Sequence, residues 1–359
     1  MAESAPSAQR EAPNITLHDV QAGLVPHWRT WFDADPDHNF TVAIPSYDRP
    51  QLLCTATLPL LAKHGVPLSN VHVFVCPQHA PGSKNPEWHS YLQTMRRFGY
   101  GDVNIEPGGI GLDGQMTCIL RRFREGHLIV VNDDVHEIKE LVRTRQGERK
   151  LRAIAYGGLV PIFGHARKLM EAGNFHAWSL GCCSALPNMS QHDVSRKCGL
   201  LNGNMFGLLR ADDNLEKAVP AGMGLIYDSA LSCVLWSLQK YYFRYRGLCL
   251  KHKFKASGGY ASIFRCARSR RERENLLLCR LQKLYPKLVH FRKKPRASDR
   301  TMQQHFCQVG PEPLQLQPWR AASSGRPFEG FTGRAMTDAE RQRKRRHGRK
   351  AMITAKVPK

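Results

Sequence analysis

The residues best suited to chemistry in this chain stand at the end of the run His127-Leu-Ile-Val-Val-Asn-Asp-Asp-Val135. Four apolar residues, β-branched in the middle, stop abruptly at Asn132, Asp133 and Asp134. Such a run reads as a buried strand that delivers two carboxylates at its C-terminal end. Ligands of open α/β sheets bind at that edge, and paired carboxylates there can hold a divalent metal against the phosphates of a nucleotide. The same residues allow a plainer reading, in which Asp133 or Asp134 caps a helix over residues 137–143.

Four other stretches carry polar groups at points where elements should end or begin. Ile44-Pro-Ser-Tyr-Asp-Arg-Pro50 forms a loop after a short strand. Leu201-Asn-Gly-Asn-Met-Phe-Gly207 is a polar loop running into a strand, where one of the asparagines serves a turn around Gly203. Ile226-Tyr-Asp-Ser-Ala-Leu-Ser232 places Asp228 at a helix start, a position that fits an N-cap. Gly109-Ile-Gly-Leu-Asp-Gly114 matches G-x-G-x-x-G, with Asp133 about twenty residues on, the spacing of a dinucleotide-binding turn. An NAD(P)-dependent oxidoreductase using Gly109, Gly111 and Gly114 is therefore one function class. Against it, Pro107 and Gly108 interrupt the turn, and the motif follows two earlier strand–helix units where a fingerprint opens its domain.

The elements that must position these groups follow from periodicity. Strands are expected over residues 39–45, 71–75, 103–105 and 128–131, and helices over 52–64, 87–98 and 116–124, with Gly65, Gly99 and Gly126 as stop signals. This alternation predicts a doubly wound, mostly parallel α/β sheet with helices on both faces. Its C-terminal edge gathers residues 46–49, 108–114 and 132–134. Further on, strands are expected over 175–183 and 205–209, and helices over 228–242 and 271–284.

The formal net charge of +23 is unevenly placed. From Gln239 onward about 31 Lys and Arg stand against 7 Asp and Glu, leaving 22 against 23 before it. A neutral half followed by a strongly basic half suggests a polyanionic partner, nucleic acid above all. Arg265, Arg268, Arg270, Arg271 and Arg273 crowd one helix start, where they could track a phosphate backbone or form a solvated face. Tyr241, Tyr242, Phe243 and Tyr245 could stack on a base or belong to the core. Residues 341–350 are densely basic, as in a nuclear import signal or a nucleic-acid-binding tail. No run approaches the length of a membrane span, and the N-terminus has neither a basic nor an apolar signal region. The eleven cysteines are an odd number and form no C-x-x-C pair, which suits reduced thiols. The expected location is nuclear or cytoplasmic, not secreted. Three regions are expected: a disordered arm over 1–38, a catalytic domain over 39–300 and a basic, largely disordered tail over 301–359.

Taken together, I-P-S-Y-x-R-P, the tandem aspartates, the Asn-Gly-Asn loop and Asp228, in this order, resemble glycosyltransferases of the GT-A fold. More narrowly, the chain is similar to the TET/JBP-associated glycosyltransferases, which include the base J glucosyltransferase and are associated with adding sugar to a hydroxymethylated pyrimidine in DNA. The similarity runs from about Phe40 to Val289. The resemblance implies that Pro45, Ser46 and Arg49 line the nucleotide pocket, with Arg49 suited to a phosphate. Asp133 lies near the ribose or the metal, and Asp134 is the direct ligand of Mn2+ or Mg2+. Asp228 is the general base of an inverting transfer. Asn202 and Asn204 hold acceptor or sugar, and a loop with Lys255 closes over a UDP-sugar donor, with Lys255 or His252 meeting the diphosphate. The usual pattern in such enzymes is D-x-D, and here an amide, Asn132, replaces the first carboxylate. That replacement leaves open another class, a catalytically inactive GT-A-like module that binds nucleic acid.

Overall fold

The computed structural model describes residues 38–76, 86–144, 146–181, 194–195, 200–209, 222–252, 267–292 and 303–306, with single positions between them. The chain divides into two units, Met1–Ala321 and Ala322–Lys359, and every described residue belongs to the first. The strands are β1 (Phe40–Ser46), β2 (Val71–Val75), β3 (Asn104–Pro107), β4 (His127–Val131), β5 (Val135–Arg143), β6 (Arg149–Ala153), β7 (Ala177–Gly181), β8 (Val194–Ser195), β9 (Met205–Leu209), β10 (Tyr242–His252), β11 (Val289–Arg292) and β12 (Gln303–Phe306). The helices are α1 (Pro50–Thr55), α2 (Thr57–Lys63), α3 (Pro86–Arg97), α4 (Gly111–Arg122), α5 (Leu159–Gly173), α6 (Tyr227–Ser237) and α7 (Ala267–Leu284).

One sheet runs in the order β3-β2-β1-β4-β9-β7-β10-β5-β6, with β8 beside β10. The pairings β1–β2, β2–β3, β1–β4 and β7–β10 are parallel, whereas β4–β9, β7–β9, β5–β10 and β5–β6 are antiparallel. Along that order only β9 and β5 therefore run against the rest, and the sheet is mostly parallel. The chain builds outward from β1 to β3 and then crosses back to β4. In open α/β sheets a ligand crevice lies at such a reversal, here at the C-terminal ends of β1 and β4.

Burial on both sides explains why β2 and β4 read as continuous apolar runs. Val42, Ile44, Val73, Val75, Ile129 and Val131 pack with residues of α1, α2, α3 and α5, among them Leu53, Leu61, Tyr91 and Phe163. The alternate residues Ala43, Phe74, Leu128, Val130, Phe206 and Leu208 pack with Met116 and Ile119 of α4 and with Leu231, Val234 and Leu235 of α6. Helices thus cover both faces. At the far end of β4 from the crevice, the buried indole N–H of Trp178 donates to Nε2 of His127 at 2.9 Å. Burial pushes His127 down to about 3, so its imidazole stays neutral and accepts. A side chain on Gly207 would sit 2.0 Å from that indole nitrogen, so only glycine fits there.

Several expected elements differ. Residues 137–143 form most of β5, not a helix. Ile138, Leu141 and Val142 allow helical spacing, but β10 and β6 pair with this segment and take its backbone hydrogen bonds. The helix expected over 228–242 ends at Ser237, followed by Gln239 at φ 55, and residues 242–252 are strand. Tyr242, Phe243 and Tyr245 are core residues of β10 and do not stack on a base. The helix expected over 52–64 breaks at Ala56 into α1 and α2, and β1 continues through Pro45. β12 pairs with β11 at the start of the segment expected as a largely disordered tail. Most of the arm and tail lie outside the described residues. Within the arm, Arg29 grips buried Glu140 of β5 with both Nε and Nη2, and Arg152 shares that carboxylate.

Candidate functional site

The crevice floor is built at the end of β1. The Ser46 hydroxyl donates to Oδ2 of Asp133 at 2.8 Å and must therefore accept from the Tyr91 hydroxyl, also 2.8 Å away. Tyr91 in turn accepts the Arg49 backbone N–H at 3.1 Å. Asp48 turns the chain here at φ 51, a left-handed conformation that aspartate tolerates. The turn brings the Arg49 guanidinium over both aspartates, with Nη1 3.2 Å from Oδ1 of Asp133 and 3.7 Å from Oδ2 of Asp134. Gln115 of α4 donates to the carbonyls of Ser46 at 2.8 Å and Phe74 at 3.3 Å, pinning α4 to the ends of β1 and β2. Pro45 is buried in β1, beyond the β1–β4 pairing, where its missing N–H costs that ladder nothing.

Asp133 and Asp134 make the turn from β4 into β5, so there is no helix for them to cap. Thr57 ties that turn down, its hydroxyl donating to the Asn132 carbonyl at 2.8 Å and accepting the Val135 N–H at 3.1 Å. Asp133 is buried, and burial pushes its carboxyl up to about 6 against the opposing pull of Arg49 and Ser46. Both its oxygens are bonded within the protein. Asp134 differs: its Oδ1 is buried without a hydrogen-bond partner. An unmet carboxylate oxygen in this position is what a hard divalent cation would complete. Among the described residues no three His, Cys, Asp or Glu side chains gather as a metal cluster, so water and ligand oxygens would supply the remaining positions. His252, at the end of β10, stands opposite Val135 across a register shift, next to this turn.

On the other side of β4, the 202–204 loop runs into β9. Asn202 is buried, accepting the Asn204 N–H through its Oδ1 at 3.1 Å. Asn204 accepts from Nδ2 of Asn132 at 2.9 Å. Between the two asparagines, Gly203 lies against Asp228: a Cβ there would sit 2.9 Å from Asp228 Cβ and 3.2 Å from its Oδ2. Asp228 is half-buried in the first turn of α6, where the cap position is Ile226, so it is not the N-cap. Its Oδ1 accepts the Ser229 N–H at 2.8 Å. Burial pushes the carboxyl up to about 6, opposed by that N–H. Ser232 donates to the Asp228 carbonyl and accepts the Leu201 N–H at 2.9 Å, fastening the loop to the helix. Gly203→Ala is expected to destabilise the protein by about 1–3 kcal/mol and to lower activity with it, measured by chemical denaturation beside turnover.

The glycine motif serves packing. A Cβ on Gly109 would lie 2.3 Å from the Gly114 backbone, and Gly108 presses on Val75 and Gln115. Asp113 accepts the Gly222 N–H at 2.7 Å. The motif follows β3, at the sheet border, whereas the crevice opens between β1 and β4. Lys255, expected at the donor diphosphate, and Arg265, the first of the expected nucleic-acid contacts, lie outside the described residues. Arg268 and Arg271 lie on α7, with only their backbone described. Arg270 pairs with Glu274 at 2.9 Å, and Arg273 is exposed.

Three residues central to this geometry escape sequence reading: Tyr91, Gln115 and Thr57. Each sits on a helix where its spacing matches the packed face, so nothing local marks it as part of a site. Tyr91→Phe removes the hydroxyl that bridges Ser46 and the Arg49 N–H, at an expected cost of about 1–3 kcal/mol that chemical denaturation would measure.

No protein-family profile matches the chain, and no curated protein does. Solved structures with a similar backbone path include a mannosyltransferase from Pyrobaculum calidifontis in complex with GDP-mannose and Mn2+. That match has 15% identity and a TM-score of 0.35, over 64% of this chain and 66% of that one. TarS residues 1–349 from S. aureus match with 12% identity and a TM-score of 0.37, over 68% and 65%. This chain thus spans slightly under two thirds of each of those two. Glucosyl-3-phosphoglycerate synthase from Mycobacterium tuberculosis, in complex with Mn2+, UDP and phosphoglyceric acid, matches with 11% identity and a TM-score of 0.38, over 84% and 93%.

Proposed function

We propose that this protein is a metal-dependent, inverting nucleotide-sugar glycosyltransferase of GT-A type. Its donor is UDP-glucose and its acceptor a hydroxymethylated pyrimidine in DNA. The observation that carries the transferase reading is the placement, at one sheet edge, of Asp134, with its unmet buried oxygen, and of Asp228, whose carboxyl burial raises, across a short loop. Ser46, Arg49, Pro45 and Asp133 form the nucleotide side, with Arg49 supplying positive charge for phosphate. Asp134 is the residue to hold Mn2+ or Mg2+, which when bound supplies charge neutralisation for the departing diphosphate. With both its oxygens engaged by Ser46 and Arg49, Asp133 positions that turn. Asp228 takes the proton of the acceptor hydroxyl as its oxygen bonds to the anomeric carbon. The bond from that carbon to the diphosphate oxygen breaks, and UDP leaves with the electron pair. Asn202 and Asn204 shape the wall between the two carboxylates.

The DNA acceptor is supported by charge and by the resemblance. The described outer face of α7 and the turn after it carries Arg273, Arg280, Lys283 and Lys287, all exposed, in line with phosphate contacts. Catalysis is assigned to residues 39–300 and added affinity for DNA to the basic 301–359 segment, in a nuclear or cytoplasmic setting. No helix among the described residues is long and apolar enough to cross a membrane.

The test is incubation with Mn2+, radiolabelled UDP-glucose and duplex DNA carrying hydroxymethyluracil or hydroxymethylcytosine, with unmodified duplex as control. Label on the hydroxymethylated duplex alone is expected. Metal-dependent UDP release without labelled DNA would overturn the acceptor and keep the transferase. Neither signal, together with no binding of UDP-sugar, would overturn both.

A further inference from the structure

The amide at position 132 has a direction imposed on it from three residues away. The Gly181 carbonyl, at the end of β7, can only accept, and Nδ2 of Asn202 donates to it at 3.0 Å. Asn202 must then present its Oδ1 toward the 204 position, where the Asn204 backbone N–H, a pure donor, already points at 3.1 Å. Two backbone groups of opposite sense thus set the orientation of Asn202. Because Asn202 shows an acceptor, the Asn204 side chain offers Nδ2 to it at 3.2 Å and turns its own Oδ1 toward Asn132. Asn132 completes the series by donating Nδ2 to that oxygen at 2.9 Å. Its backbone N–H donates to the Asn204 carbonyl at 2.9 Å, which brings the two residues side by side.

We propose that Asn132 is a positioning residue, the last rung of a one-way amide ladder anchored on the Gly181 carbonyl, which ties the Asp133–Asp134 turn to the loop that packs on Asp228. An amide has one donor end and one acceptor end, so a chain of them carries its direction from rung to rung. Position 132 must donate. An ionised aspartate there only accepts, and it would set two acceptors against each other in a part-buried site. The ladder has a place to deliver its constraint. Gly203, between its two rungs, lies so close to Asp228 that an added Cβ would sit 2.9 Å from the Asp228 Cβ and force one of the two to shift. The amide in place of the first carboxylate of D-x-D is then required by this loop and is no mark of lost activity. The inference rests on the proposed roles of Asp134 and Asp228.

Asn132→Asp separates the possibilities, because a decayed metal motif would gain from it. In the full-length protein, with UDP-glucose, Mn2+ and hydroxymethylated duplex, Asn132→Asp and Asn132→Ala are each expected to lower kcat by about tenfold to a hundredfold, as for a misplaced reacting group. The KM for donor should stay within about twofold, since neither change removes Ser46, Arg49 or Asp134. Asn132→Asp turnover equal to or above the wild type, or a loss confined to KM, would overturn the proposal. A crystal structure of Asn132→Asp provides a readout independent of activity: Asn204 is expected to turn away from position 132 and Gly203 to shift from Asp228. An unmoved loop would overturn the ladder. A wild type without turnover would instead overturn the transferase reading, and the crystal structure would still decide the ladder.

Discussion

Asp134→Ala is expected to cut metal-dependent turnover by roughly a thousandfold, the scale of losing a main electrostatic stabiliser of a developing charge. The expectation follows from a difference between two adjacent carboxylates. Asp133 spends its oxygens on Ser46 and Arg49 and belongs to the wall of the crevice. Asp134 keeps a buried Oδ1 with no partner, and its Oδ2 is 3.7 Å from Arg49. Truncation removes the group that would hold the metal and leaves the Ser46–Tyr91–Arg49 chain intact. Folding should therefore survive. Measured Mn2+ binding should disappear while the far-UV spectrum and melting temperature stay near wild type. Full activity in this variant, or undiminished Mn2+ affinity, would remove Asp134 from the metal site. Asp133→Ala should behave in the opposite way, losing stability first, because the Ser46 hydroxyl would lose its buried acceptor and Arg49 the nearer of its two carboxylates.

Asp228→Asn should lower kcat by about a hundredfold to ten-thousandfold, the usual contribution of a general base, with little change in donor KM. Asparagine keeps the shape and still accepts the Ser229 N–H, so the loss would be chemical. Two pH effects accompany it. In the wild type the base must be ionised, and its carboxyl is pushed up to about 6, so kcat should rise with pH through about 6 and level off above it. That limb should be absent from the residual activity of the variant. Stability moves the other way. A carboxyl whose folded value exceeds its unfolded value of 3.8 binds more protons when folded, so its contribution is greatest below about 4 and is lost as pH rises to about 6. Above that range Asp228→Asn is relieved of the cost of an ionised, poorly solvated carboxylate. It should therefore be more stable than wild type by about 1–3 kcal/mol at pH 7, with the difference shrinking toward pH 4. Equal melting curves at all pH values would show that Asp228 carries no such strain. An unchanged kcat would dismiss it as the base.

The sequence alone determined much of this protein at the level of single elements. The apolar run ending at Asn132, Asp133 and Asp134 is a strand whatever surrounds it, because its β-branched residues suit burial on two faces. The strand–helix alternation before it admits little besides a doubly wound sheet. Asp228 at a helix start and Gly203 between two asparagines were also legible, since turn and helix-start chemistry is local. Residues 137–143 mark where local reading stops. Their apolar positions satisfy a helix and a strand alike, and the choice was made by β10, about a hundred residues away, which supplies their hydrogen bonds. The site has the same character. Nothing near Tyr91, Gln115 or Thr57 in sequence distinguishes them from core residues, yet each closes a hydrogen bond to a segment between 42 and 78 positions distant. Tertiary structure alone decided the direction of the Asn132–Asn204–Asn202 amides, because that direction is set by the Gly181 carbonyl on a neighbouring part of the sheet. Types of residue declare what a group can donate or accept; only the folded chain supplies the partner that fixes which it does.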